Sequence, residues 1–164
     1  MKKQLIILLL LTGLCFSQTD TFKLNLNPFP KKSQVAKYAY AGSIMLLLAH
    51  HSTIDAWIWE KGNKPIPSFI KKDYWYLGGT AICVTLLTMA SYSYDDTFWG
   101  YTKTSVGSLL IGSVIWDLLF GTLLYNDAFY PFPNWYGGYG FRNKTERISF
   151  DLARLGLGIY LLVE

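Results

Sequence analysis

Between Thr104 and Leu124 the chain carries a single charge, Asp117, in a run built from Leu, Ile, Val and small residues. A run of this length matches the roughly 20 apolar residues that cross a hydrocarbon core of about 30 Å. It constrains the fold more than any other feature. Three further apolar stretches share its character. One runs from about Val35 to Trp59, its start rich in small residues (Ala39, Ala41, Gly42, Ser43). A second runs from about Tyr74 to Tyr92, with Gly78-Gly79 near its start, and a last from Ile148 to Val163 carries Asp151 and Arg154. This last stretch is marginal as a span, and is expected to be tilted, half-inserted or packed against its neighbours.

Composition agrees. In 164 residues, apolar types make up 51%, aromatics 17% and charged types 16%, against roughly 25% charged in an average soluble domain. That balance points to a membrane protein of one domain and argues against disorder or a soluble enzyme. Two cysteines exclude a disulfide framework or a four-cysteine zinc site. The net charge of +4 is scattered, so no nucleic-acid partner is expected.

At the N-terminus, Met1-Lys2-Lys3 precedes the apolar run Leu5 to Leu14, and small residues at Cys15 and Ser17 suit cleavage before Gln18. Residues 1–17 therefore read as a signal peptide, 18–34 as a polar linker with Asn-Pro and Phe-Pro turns, and 35–164 as a helical membrane domain. The predicted fold is an all-α membrane protein: a cleavable signal peptide, then a compact bundle of about four transmembrane or membrane-embedded helices. A β-barrel is disfavoured, because Ile44 to Leu48 and Ser108 to Ile115 are continuous apolar runs rather than alternating ones.

Loop charges set an orientation. The 60–73 loop holds Lys61, Lys64, Lys71 and Lys72, and the 125–147 loop holds Arg142, Lys144 and Arg147. The 93–103 loop holds Asp95 and Asp96 with Lys103. Positive-inside counting puts the first two in the cytoplasm, in a multi-pass protein of the bacterial inner membrane.

No phosphate-cradling loop with Lys, no GxSxG elbow, no HExxH and no CxxC occurs. Candidate chemistry is confined to ionisable residues inside apolar stretches, which are expensive in lipid and so read as functional and paired. They are His51 and Asp55 with neighbouring His50, then Asp117, Asp151 and Arg154. Under the proposed topology these share one layer near the inner leaflet. His51 and Asp55, spaced i, i+4, suit a hydrogen-bonded pair and are a weak metal-ligand candidate, while Asp151 and Arg154, spaced i, i+3, can pair directly. His50 is expected at the interface. Asp117 is expected within reach of His51, Asp55 or Arg154.

Two other features stand out. The segment from Tyr125 to Phe141 is dense in aromatics (among them Tyr125, Phe129, Tyr130, Trp135, Tyr136 and Tyr139), and Pro131 and Pro133 bar a regular helix. It reads as an irregular interfacial loop, an anchoring belt or a wall for a lipid-like ligand. Thr104, Ser108 and Gly112, spaced by four, form a small-residue stripe for close packing, within the chain or with another membrane subunit. The run Arg147-Ile-Ser-Phe-Asp-Leu-Ala-Arg-Leu-Gly-Leu-Gly158 resembles the close of small VanZ-like membrane proteins over about a dozen residues. That group's other motifs are missing, and nothing is carried over from it.

The expected function is a non-catalytic accessory or structural component of the bacterial envelope, embedded in the lipid bilayer. The alternatives are a membrane-embedded enzyme or binder of a lipid or isoprenoid-type substrate at the inner leaflet, and an oligomeric small transporter component. The sequence names no cofactor.

Overall fold

Helix boundaries follow from local capping chemistry. In the computed structural model, which describes residues 34–59, 67–70, 72–132 and 140–164, four α-helices and no strand are found among the described residues. They are α1 (Gln34–Ile58), α2 (Thr80–Ser93, preceded by a π-helical turn Trp75–Gly79), α3 (Phe98–Tyr125) and α4 (Lys144–Val163). The expected signal peptide, nearly all of the linker and Trp135, Tyr136 and Tyr139 lie outside the described residues.

The start of α3 is set by Thr97, whose Oγ1 accepts from the Gly100 amide at 3.1 Å. The first helical residue is therefore Phe98, six residues before the expected start of the span. At its other end Asn126 is left-handed (φ 55°), and the Asn126 and Asp127 amides donate to the carbonyls of Thr122 and Gly121. These bonds satisfy carbonyls that a helix end otherwise leaves open. Helix α4 starts at Lys144, four residues earlier than expected. Asn143 Oδ1 accepts from the Glu146 amide at 2.9 Å, and Glu146 reaches back to accept from the Arg142 amide at 2.7 Å. That shift moves Arg147 from a loop into the first turn of a helix.

Helices α1 and α3 form the middle of the bundle; α2 packs on α1, and α4 packs on α3. Glycines set the spacing. A Cβ on Gly112 would lie 2.5 Å from Leu48 Cδ1 of α1, and one on Gly107 would lie 2.8 Å from the Gly158 carbonyl oxygen of α4. Gly79 likewise lies against the ring of His50, where a Cβ would come within 2.3 Å of Cε1. Thr104, Ser108 and Gly112 are all buried, so the stripe serves packing inside the chain and offers no free surface to another subunit.

Burial mixes two chemistries, with Ile44, Ile54, Val114, Phe120 and Leu162 buried alongside several polar side chains. Ser43, His50, Ser52, Ser93, Thr104, Ser108, Arg147 and Asp151 are buried, whereas Leu46, Ile82, Leu109, Leu152, Leu157 and Ile159 are exposed. Among the described residues, α3 is the one helix long and apolar enough to cross a membrane.

Candidate functional site

Four charged side chains close into a ring between α3 and α4. Arg147, in the first turn of α4, has no exposed surface. Its Nε donates to Asp151 Oδ2 at 2.7 Å, one turn along the same helix, and its Nη1 donates to the Tyr130 carbonyl at 2.9 Å. Asp151 Oδ1 accepts from Arg154 Nη2, which also donates to Asp117 Oδ2 of α3. Arg154 Nη1 donates to Ser113 Oγ at 3.0 Å, fixing the guanidinium on α3. The ring closes where Arg147 Nη2 lies 3.8 Å from Asp117 Oδ2. Charge alternates around it and sums to zero, which offsets much of the cost of withdrawing four ions from water. Aromatic faces cover both cations: Arg147 lies 4.8 Å from the Phe132 ring centre and Arg154 4.7 Å from that of Phe150.

The expected pairing of Asp117 with Arg154 and of Asp151 with Arg154 is present. The sequence reading of Arg147 as a cytoplasmic loop cation is corrected by its burial at the heart of the ring. A signal for it existed: Asn143 followed three residues later by Glu146 marks a helix start, and Arg147 and Asp151 then stand i, i+4 on one face. Ser113 and the Tyr130 carbonyl were also missed. Neither a lone serine nor a main-chain oxygen leaves a pattern in sequence.

The single polar layer expected from depth is two groups on two sides of α3. His51 Nδ1 pairs with Asp55 Oδ2 at 2.8 Å, and the same oxygen accepts from Trp116 Nε1 at 3.2 Å. Consecutive residues of α3 thus face different neighbours, Trp116 toward α1 and Asp117 toward α4, as the 100° step of a helix requires. His51 is largely exposed and Asp55 mostly covered. Two possible metal ligands meet there; among the described residues no group of three or more is assembled. His50 is not interfacial but buried, with Nε2 3.2 Å from Thr80 Oγ1 and its ring 5.5 Å from that of Trp75. One step along the helix from His51, it turns inward to α2 instead of outward.

Below the ring the aromatic segment folds back on the bundle. Tyr125 and Tyr130 stack with ring centres 3.7 Å apart, and Phe132, buried and left-handed at φ 47°, packs on Phe120 and Tyr125. Phe129 stays exposed. The Phe141 amide donates to the Pro131 carbonyl at 2.9 Å, drawing the two ends of the segment together. Lys144 pairs with Asp127 at 2.7 Å and holds that carboxyl below its ordinary range.

The opposite end of the bundle holds a polar cluster that sequence did not suggest. Tyr94 Oη donates to Asp96 Oδ2 at 2.7 Å and lies 2.9 Å from Thr104 Oγ1, while Tyr101 Oη donates to the Tyr94 carbonyl. Burial pushes the Tyr94 phenol up to about 12. The Tyr94 hydroxyl and the Thr97 amide hold the Asp96 carboxyl below its ordinary range.

No family model matches the chain, and neither a curated protein nor a solved structure matches it. Function is therefore argued from geometry. Both oxygens of Asp151 accept from guanidinium groups, and Arg154 is spread over Asp117, Asp151 and Ser113. With both oxygens of Asp151 and one of Asp117 bonded to arginine, the ring joins α4 to α3.

Proposed function

We propose that the chain is a small multi-pass integral membrane protein of the bacterial inner membrane, a non-catalytic accessory or structural component of the envelope. The supporting observation is what the helices leave outside: many large aliphatic and aromatic side chains are exposed, while Arg147, Asp151 and several hydroxyls are buried beside an apolar core. Water-soluble monomers expose large apolar side chains sparingly, whereas lipid makes their exposure the favourable arrangement. In this reading the ring is a clasp near the cytoplasmic side, where positive-inside counting puts the segments between α1 and α2 and between α3 and α4. The Tyr94–Asp96 cluster then lies on the outer side.

A second reading, a membrane-embedded enzyme or binder of a lipid, rests on His51. Its Nδ1 is held by Asp55 while its ring is largely exposed, the arrangement that orients an imidazole for proton transfer.

Purification in mild detergent, with mass analysis of everything that co-purifies, separates the two. A stoichiometric protein partner supports the accessory reading, and a retained lipid or isoprenoid lost in His51→Ala moves the assignment to the second. Release of the chain from membranes by alkaline carbonate overturns both.

A further inference from the structure

We infer that α4 does not enter the membrane on its own merits and that Asp117 of α3 admits it by completing the charge of Arg154. The inference rests on the membrane reading above. Helix α4 has 20 residues, about 30 Å at 1.5 Å per residue and so long enough to cross. It carries Lys144, Glu146, Arg147, Asp151 and Arg154, and among the described residues only α3 is apolar enough to qualify as a span by itself.

The charges within α4 do not balance where they are buried. Arg147 and Asp151 bond to each other within the helix, so that pair is neutral as soon as the first turns form. Arg154 then shares an acid already engaged, and the buried segment from Arg147 to Arg154 keeps one positive charge in excess. Arg154 stands ten residues into the helix, about 15 Å from its start. An uncompensated arginine at that depth shifts an insertion equilibrium by about a hundredfold on insertion scales.

The missing negative charge is Asp117, on the helix that qualifies as a span and precedes α4 in the chain. The surrounding contacts suit this use. Ser113, one turn before Asp117, accepts a second hydrogen bond from the same guanidinium. The near-contact of the Gly107 and Gly158 backbones lets the two helices close around it. Asp117 and Arg154 thus act on topology: an acid on an inserted helix recruits a later, too-polar helix across the bilayer.

The test uses the full chain made in a cell-free system with inverted membrane vesicles, with Cys15 and Cys83 replaced by serine. One reporter cysteine is placed at position 142 and another on a short tail after Glu164. A membrane-impermeant maleimide reads which side each occupies. In the parent chain one of the two is expected to label. Asp117→Leu is expected to put both on the same side, whereas Arg154→Leu keeps them on opposite sides. The double variant Asp117→Leu/Arg154→Leu is expected to restore opposite sides, a rescue that general misfolding does not produce. Opposite sides in Asp117→Leu, or a double variant that behaves like Asp117→Leu, overturns the inference. Both sites on one side in the parent chain also overturns the inference, whereas a chain that alkaline carbonate strips from the vesicles overturns the membrane reading instead.

Discussion

Arg147 shows how one residue depends on its neighbours. Fully buried, it gives Nε to Asp151, Nη1 to the Tyr130 carbonyl and its face to Phe132. Removing one partner of a buried pair leaves an uncompensated charge, which typically costs about 3–5 kcal/mol. Arg147→Ala is therefore expected to lower stability by that amount in detergent-based unfolding, while Arg142→Ala, at an exposed position, stays within about 0.5 kcal/mol. At the other end, Asp96 provides a pH-dependent counterpart. Its carboxyl is depressed by the Tyr94 hydroxyl and the Thr97 amide. A carboxyl depressed on folding stabilises the fold above its unfolded pKa, and that contribution is lost as pH falls through the folded value. Tyr94→Phe is expected to raise the Asp96 pKa toward its ordinary value, read by carboxyl-carbon NMR. The stability gap between parent and variant then closes on acidification below the ordinary carboxylate range. An unchanged Asp96 titration in that variant contradicts the assignment of the Tyr94 bond as its main cause.

Helix packing makes a sharper forecast through the glycines. A methyl at Gly107 meets the Gly158 carbonyl at 2.8 Å, and a methyl at Gly158 meets the Gly107 carbonyl at 2.9 Å. Backbone oxygens yield only if the helices separate, so each alanine variant is expected to cost about 1–3 kcal/mol. Gly156 is the control, two residues away on the same helix with open space at its Cβ. Gly156→Ala is expected to be neutral or to stabilise by up to about 1 kcal/mol through helix propensity. Thermal unfolding of the three variants side by side checks the contrast. At this scale the sequence was informative in kind and weaker at the ends. Four apolar stretches became four helices because hydrophobic runs of that length leave little choice. Yet α3 took in Phe98 to Lys103 and α4 took in Lys144 to Arg147. Both starts lie outside the aliphatic runs and look like loop until the caps at Thr97 and Asn143 are weighed. The i, i+4 and i, i+3 pairs of α1 and α4 were legible because helical spacing alone brings them together. The join between Asp55 and Trp116, and the inward turn of His50, depend on how α1 sits against α2 and α3, which no spacing rule encodes.

For the molecule as a whole, the central claim is the proposed membrane setting, in which the exposed aliphatic side chains face lipid and the ionic ring is closed inside the bundle. Composition hinted at this through the scarcity of charge, and the positions of Asp117, Asp151 and Arg154 within apolar runs sharpened the hint. That Arg147 completes the set, and that the Thr104–Ser108–Gly112 stripe is used up internally, emerged only with the helices placed. The most direct measurement is spin-label accessibility in liposomes at Ile82, Leu109, Leu152 and Leu157, each exposed, with Arg142 as a control in a loop. The account predicts frequent collisions with oxygen and few with a polar relaxation agent at the four aliphatic positions, and the reverse at Arg142. Free access of the polar agent to Ile82, Leu109, Leu152 and Leu157 would place those faces in water and contradict it.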